Sequence, residues 1–552
     1  MNLHLIEHHP QRVLEALRRG EFDALEIIGE ADEKEFFELI FREKILEGLA
    51  ETMPTARRKH EVPLWFILAA NLSLKLHREY SFLAFERVIR CGGLLSALPP
   101  ELASKRLDPA SKAFHLWCQG FNRKNSYDRT TPCDQDTLRK ALKDVTAPQW
   151  LEWFNGPVQQ SFQEHGFFDP AGVFIGDASY LFVPDNPAYE GSSVLWFDEH
   201  NRPVDYDTLS PQERVTAHRE RCYKWVSLLH LRGPQPCYVY AAAALVTGSA
   251  HECPVFYPLV DGLVKTLGKG VVKKLILDRG FIDGERISHC KRDLGIDVLI
   301  PIKKNMDLWT DAWSLGKTQP WVDITPPPPS PSPVPPNRPA MLVRREAARQ
   351  KTLAQRKAQK ERIEPSVHRV GVQMCPIKGF TSWTAATVPI HVLLLREQDS
   401  DGQQHEWALL TTEDFADGRR LPQDYQLRTQ IEERHRQLKC FHDLTDLHSR
   451  CFHAITAQVV MILLSYSLRQ YQLWKLLQTS LASCAPDQIR FRLAIRREYV
   501  VIYHNHAYTQ MPLLSFSREL LQLEPQARAR ALEKVERLEQ SMLCPLENLR
   551  PP

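Results

Sequence analysis

The chain has 552 residues, of which 43% are hydrophobic and 25% charged, and its 70 Lys and Arg against 67 Asp and Glu leave a net charge of +3. That length exceeds a single core and points to about two to four domains of an ordinary soluble protein. The charge balance neither requires nor excludes a nucleic-acid partner, so local charge must carry that question.

Twelve cysteines are scattered with no CxxC pair and no zinc spacing. They read as reduced thiols of a cytosolic protein. The first residues, MNLHLIEHHPQRVLEALRRGEFDALE, lack a basic stretch followed by an apolar core, so no secretory signal is expected. The most apolar run, Ala454 to Leu468, is short for a bilayer and holds Gln458, Ser465 and Tyr466. It is expected to be a core helix, and no membrane association is expected.

Residues 1–165 read as helical. Apolar periodicity runs through Pro63–Leu76 and again through Ser81–Arg90, where Gly92 and Gly93 close the second helix. Arg57, Arg58, Lys59 and His60 precede them, an order shared by a helix-turn-helix module and by any small helical bundle. From Ala171 the pattern changes to strands. Val173–Gly176 is a short apolar run ending at Asp177; Tyr223–Leu231 and Tyr238–Val246 follow as strands. A helix over Pro254–Leu267 leads into the strand Val271–Leu277, then Asp278-Arg-Gly-Phe, a helix over Gly284–Leu294 and a strand over Asp297–Ile302.

Thr325–Pro339 is proline-rich and reads as an extended linker. Met341–Glu364 holds eight Lys and Arg and three Glu, compatible either with a solvated helical arm or with a phosphate-contacting one. Val388–Arg396 and Glu406–Thr412 flank Asp401-Gly402 as a hairpin. Trp383 and Trp407 there are expected in its core, and His504 and His506 read as surface histidines of a strand.

Tyr425 to Lys439 reads as one polar helix. At 100° per residue, Tyr425, Arg428, Glu432 and Lys439 fall within about 60° of one another, while Glu433 points about 100° away from Glu432. A carboxylate between two cations and a phenol suits a metal ion held beside a phosphate. The spacing Y-x2-R-x3-E-x6-K resembles the signature of bacterial insertion-sequence transposases, the DDE enzymes with a Tyr-Arg-Glu-Lys helix. Strand-Asp177, strand-Asp278-Arg-Gly-Phe, a β segment and this helix occur in that family's order.

The resemblance, over roughly residues 170–470, implies an α/β fold: a ribonuclease H-like catalytic core (166–304 and 420–480) with a β-rich insertion (305–419), a helical N-terminal region (1–165) that is expected to bind DNA, and a mostly helical C-terminal region (481–552). Such a core places the ends of the Asp177 and Asp278 strands side by side. It further implies a transposase that binds its element's ends, cuts them and joins 3′-hydroxyls to target DNA. Asp177, Asp278 and Glu432 would be the catalytic carboxylates and the ligands of two Mg2+ or Mn2+ ions; Tyr425, Arg428 and Lys439 would contact DNA. The implied partner is double-stranded DNA, bound by a dimer or higher oligomer.

Overall fold

The computed structural model describes residues 2–4, 7–30, 33–57, 62–77, 81–85, 88–89, 94–99, 102–107, 114–119, 121, 132–233, 237–324, 369–399, 402–442, 444–447, 449–479 and 497–543. The proline-rich stretch, the 341–364 basic segment, most of the 57–60 cluster and parts of the 81–93 helix lie outside them. Two compact units emerge, Met1–Lys273 with Thr429–Pro552, and Lys274–Arg428.

In the first unit the strand His218–Arg232 is central. Every residue from Cys222 to His230 is buried, as expected of a strand covered on both faces. Along one edge it pairs antiparallel with Val173–Val183; along the other it pairs with Cys237–Thr247 and then Ser193–Phe197. Asn155, at the end of the helix Ala147–Asn155, bonds both backbone groups of Ala243, with its Nδ2 2.9 Å from the carbonyl and its Oδ1 2.8 Å from the amide. That clamp sits beside the irregularity between Tyr240 and Ala242, where the ladder slips.

The long helix Phe452–Thr479 packs on Cys237–Thr247, and the Tyr240 amide donates to Ser467 Oγ at 3.1 Å. Its Phe452–Lys475 stretch is long and apolar enough to cross a membrane by length and composition, but 83% of its apolar span is buried inside the protein. Buried Thr456, Gln458, Ser465, Ser467 and Gln472 on the same helix face protein rather than solvent.

The amino-terminal region is not purely helical, contrary to the sequence reading. Ala24–Glu30 pairs antiparallel with Arg497–His504, which pairs in turn with Ala507–Pro512. Val13, Leu17, Phe22, Val500, Ile502 and Phe516 fill one core beneath this sheet. The two ends of the chain therefore fold together, by pairings that no local periodicity can announce.

His230 in the central strand is fully buried. It receives the Asp169 amide at Nε2 (2.8 Å) and lies 3.1 Å from the Val173 carbonyl through Nδ1. Burial pushes its pKa down to about 4. Above pH 6.5 both folded and unfolded chains hold it neutral; below that the unfolded chain takes up the proton first. Stability should therefore decline as pH falls from about 6.5 to about 4, by about 3 kcal/mol in total from this group. Denaturant midpoints measured across that range should fall more steeply for the native protein than for His230→Gln; parallel curves would show that His230 is not the source.

The second unit is a mixed sheet. Lys274–Ile276 runs parallel to Asp297–Pro301, which pairs antiparallel with Gln404–Thr411, followed by Ile390–Asp399, Arg369–Phe380 and Val322–Asp323. The expected hairpin is Ile390–Thr411, closed by the Gly402 amide donating to the Asp399 carbonyl at 3.1 Å. Leu299, Met374, Leu393, Leu395, Leu409 and Leu421 form its core.

Candidate functional site

Asp177 does not end a strand. It is the fifth residue of the eleven-residue strand Val173–Val183, because Tyr180–Val183 continue the apolar pattern and pairing with Arg221–Leu231 carries on past the carboxylate. Its direct partner across the ladder is Ser227, so the two side chains share one face of the sheet. Two residues on, Ser179 shares that face by the period of a strand.

The Tyr-Arg-Glu-Lys segment is not one helix. Arg420–Gln426 ends in a turn in which the Leu427 and Arg428 amides bond the Asp424 and Tyr425 carbonyls at 3.1 and 2.9 Å, and a second helix runs from Thr429 to Phe441. Those closing bonds occupy carbonyls that a continuing helix would have offered one residue later. Only Glu432 and Lys439 of the four signature residues therefore share a helix.

Glu432 is exposed on the second helix. Half-buried Lys439, two turns on, donates from Nζ to Ser179 Oγ at 2.7 Å. Burial lowers its pKa, and the nearby Asp177 carboxylate opposes that shift. Between them on the same face lies His435, whose Nδ1 is 3.6 Å from Asp177 Oδ2 and whose Nε2 is 3.1 Å from Ser227 Oγ. His435, Ser227 and Ser179 were absent from the sequence reading. The helical signal for His435 was there, about 60° from Glu432 and about 40° from Lys439, but the strand positions that make it meaningful were not.

Glu433 is occupied elsewhere. Arg436 holds it through Nε and Nη2, both at 2.7 Å, and Gln437 adds a bond at 3.0 Å. The Arg436 bond lowers its pKa to about 2. Glu433→Gln should therefore cost the helix no more than about 1 kcal/mol and leave DNA cleavage nearly unchanged. Cleavage assays showing damage equal to that of Glu432→Gln would overturn the assignment of Glu432.

In the second unit Asp278 caps the short turn Arg279–Phe281, accepting the Arg279 amide at 2.7 Å. Arg428 Nη2 lies 4.0 Å from Asp278 Oδ1. The helix Arg420–Gln426 is anchored by Lys274, which pairs with Asp424 at 2.6 Å and Glu413 at 2.5 Å. Tyr425 is half-buried and packs against Trp407, with ring centroids 6.0 Å apart, beside the Leu393–Leu421 core. Trp407 is half-buried and packs against that core, and Trp383 is half-buried in the loop before Ile390.

Asp177 is brought together with Lys439 and His435 in the first unit, and Asp278 with Arg428 in the second. Among the described residues, no three His, Cys, Asp or Glu side chains within either unit gather closely enough to hold a metal ion. Carboxylates such as Asp177, Asp278 and Glu432 are hard-oxygen donors, the kind that suits Mg2+ or Mn2+.

No curated protein matches the chain. The family model described as Transposase DDE domain matches residues 189–468, a stretch that contains Asp278 and Glu432 and begins just after the Asp177 strand. As this match spans just over half of the 552 residues, the chain belongs to the transposase DDE domain family.

Proposed function

We propose that this chain is a DNA transposase of the Tyr-Arg-Glu-Lys group with a ribonuclease H-like core, in which Asp177, Asp278 and Glu432 are the catalytic, metal-binding carboxylates. Beyond family membership, one observation carries the assignment. The Glu432 helix lies against the Asp177 strand through Lys439 and His435, so the helix that carries one candidate carboxylate is held to the strand that carries another. A solvated helix would not need Lys439 withdrawn from water and bonded to a strand serine.

Bound divalent ions would supply an activated oxygen nucleophile and neutralise charge on the departing oxygen. The chain's own groups do the rest. Lys439 offers a point charge and Arg428 a planar fork to phosphates flanking the scissile bond. Tyr425, held against Trp407, contributes its phenol edge to the DNA. The basic residues between Arg344 and Arg362 neutralise further phosphates, which suits a protein whose overall charge is only +3. The substrate is double-stranded DNA at the ends of its own element, bound by at least a dimer, and the freed 3′-hydroxyls attack target DNA.

The test is cleavage of a duplex carrying the DNA that flanks this gene, with Mg2+ or Mn2+ and with chelator. Metal-dependent cutting at defined ends supports the assignment. End binding without cutting under either metal would make the chain a transposase-derived DNA-binding protein, and neither binding nor cutting would overturn the proposal.

A further inference from the structure

We propose that His435 is a positioning residue for Asp177, a role that rests on reading Asp177 as a metal-binding carboxylate. The ring is 5% exposed and packs against an aromatic wall, with Trp225 at 4.5 Å and Tyr240 nearly parallel at 6.4 Å between centroids, and these two rings also touch each other at 5.4 Å. Trp225 and Tyr240 are themselves fully buried, so the slot is rigid. Within that slot, rotation about the ring axis is set by Nε2, which meets the fully buried Ser227 hydroxyl at 3.1 Å. Ser227 and Asp177 are direct partners across the antiparallel ladder. The sheet register therefore fixes both groups that His435 addresses.

In the tautomer whose Nε2 accepts the Ser227 hydroxyl proton, the ring N–H is on Nδ1 and faces Asp177 Oδ2 at 3.6 Å. That separation is longer than a hydrogen bond but within reach of a small rotation of the carboxylate. A histidine satisfied only as core filling would need neither the strand serine nor the carboxylate beside it. Here the ring faces one oxygen of Asp177, the arrangement by which outer partners tune a metal-binding carboxylate.

The experiment compares full-length native protein with His435→Phe, His435→Gln, Ser227→Ala and Asp177→Asn. His435→Phe keeps an aromatic ring in the slot and removes both nitrogens; His435→Gln restores a donor. Mn2+ binding is read from the electron paramagnetic resonance signal of the free ion, without DNA turnover, and end binding is measured in chelator. His435→Phe should weaken Mn2+ binding about tenfold to a hundredfold with end binding unchanged, and His435→Gln should recover part of the loss. Native Mn2+ affinity in His435→Phe, with affinity lost in Asp177→Asn, would overturn the positioning role alone. Native affinity in Asp177→Asn as well would overturn the metal assignment of Asp177 itself. Should His435→Phe fail to fold, Ser227→Ala decides, because it removes one hydroxyl only: unchanged Mn2+ affinity there would sink the proposal.

Discussion

Replacing Glu432 by Gln, or Asp177 or Asp278 by Asn, is expected to reduce end cleavage by at least about a thousandfold, the scale of several kcal/mol of lost metal-assisted stabilisation. Binding to the element's ends should stay within a few-fold of native. Each change keeps side-chain volume and removes only the charge. Glu432 is exposed, so its amide disturbs no packing. Asn at 278 can still accept the Arg279 amide, so the turn that follows survives. At 177 the amide removes the charge that offsets Lys439's burial, but Lys439 keeps its 2.7 Å bond to Ser179, and the strand pairing runs through the backbone. Gel-shift and cleavage assays on the same preparations separate the two effects. A Glu432→Gln protein that no longer binds ends would make the residue structural, and one that still cuts would remove it from the metal site.

Much of the fold around the candidate residues was legible in the sequence, and the parts that were not share a cause. The long helix over Phe452–Thr479, the hairpin over Ile390–Thr411 and the helix Cys253–Leu267 announce themselves by local periodicity and turn residues. The Asp177 strand was cut short in the sequence reading because an aspartate after Gly176 resembles a turn. What keeps it extended is the neighbouring strand, whose Cys222–Ser227 stretch continues the ladder beyond Asp177. The same is true of the amino-terminal strand Ala24–Glu30, whose partner begins at Arg497. Glu432 and Lys439 do share one helix, but the single helix from which Tyr425 and Arg428 were phased is broken before Thr429. Phase propagates only while the helix does, and the turn at Leu427–Arg428 resets it. His435 was overlooked for the complementary reason: its position on the helix was known, but its partners Ser227, Trp225 and Tyr240 come from strands whose register a single sequence does not reveal.

Gly172→Ala should destabilise the first unit by about 3 kcal/mol or more, and should impair cleavage through Asp177 without touching it. Gly172 has φ of +64°, in the left-handed region, where an L side chain alone costs about 1–2 kcal/mol. A Cβ there would also stand 2.6 Å from the Val271 carbonyl oxygen and 2.9 Å from the Lys273 side chain. The backbone cannot simply retreat, since the Gly172 carbonyl accepts the Lys273 amide at 2.9 Å. Relief must come from shifting either residues 271–273 or the start of the strand Val173–Val183. The second route moves the chain five residues before Asp177, whose carboxylate is set against His435 and Lys439 by that strand's register. Thermal or denaturant midpoints should therefore drop, and in protein still folded at low temperature the Mn2+ requirement for cleavage should rise while end binding stays near native. A variant that loses stability yet keeps the native metal requirement would show that residues 271–273 absorb the strain and that the Asp177 strand is held firmly by its neighbour alone.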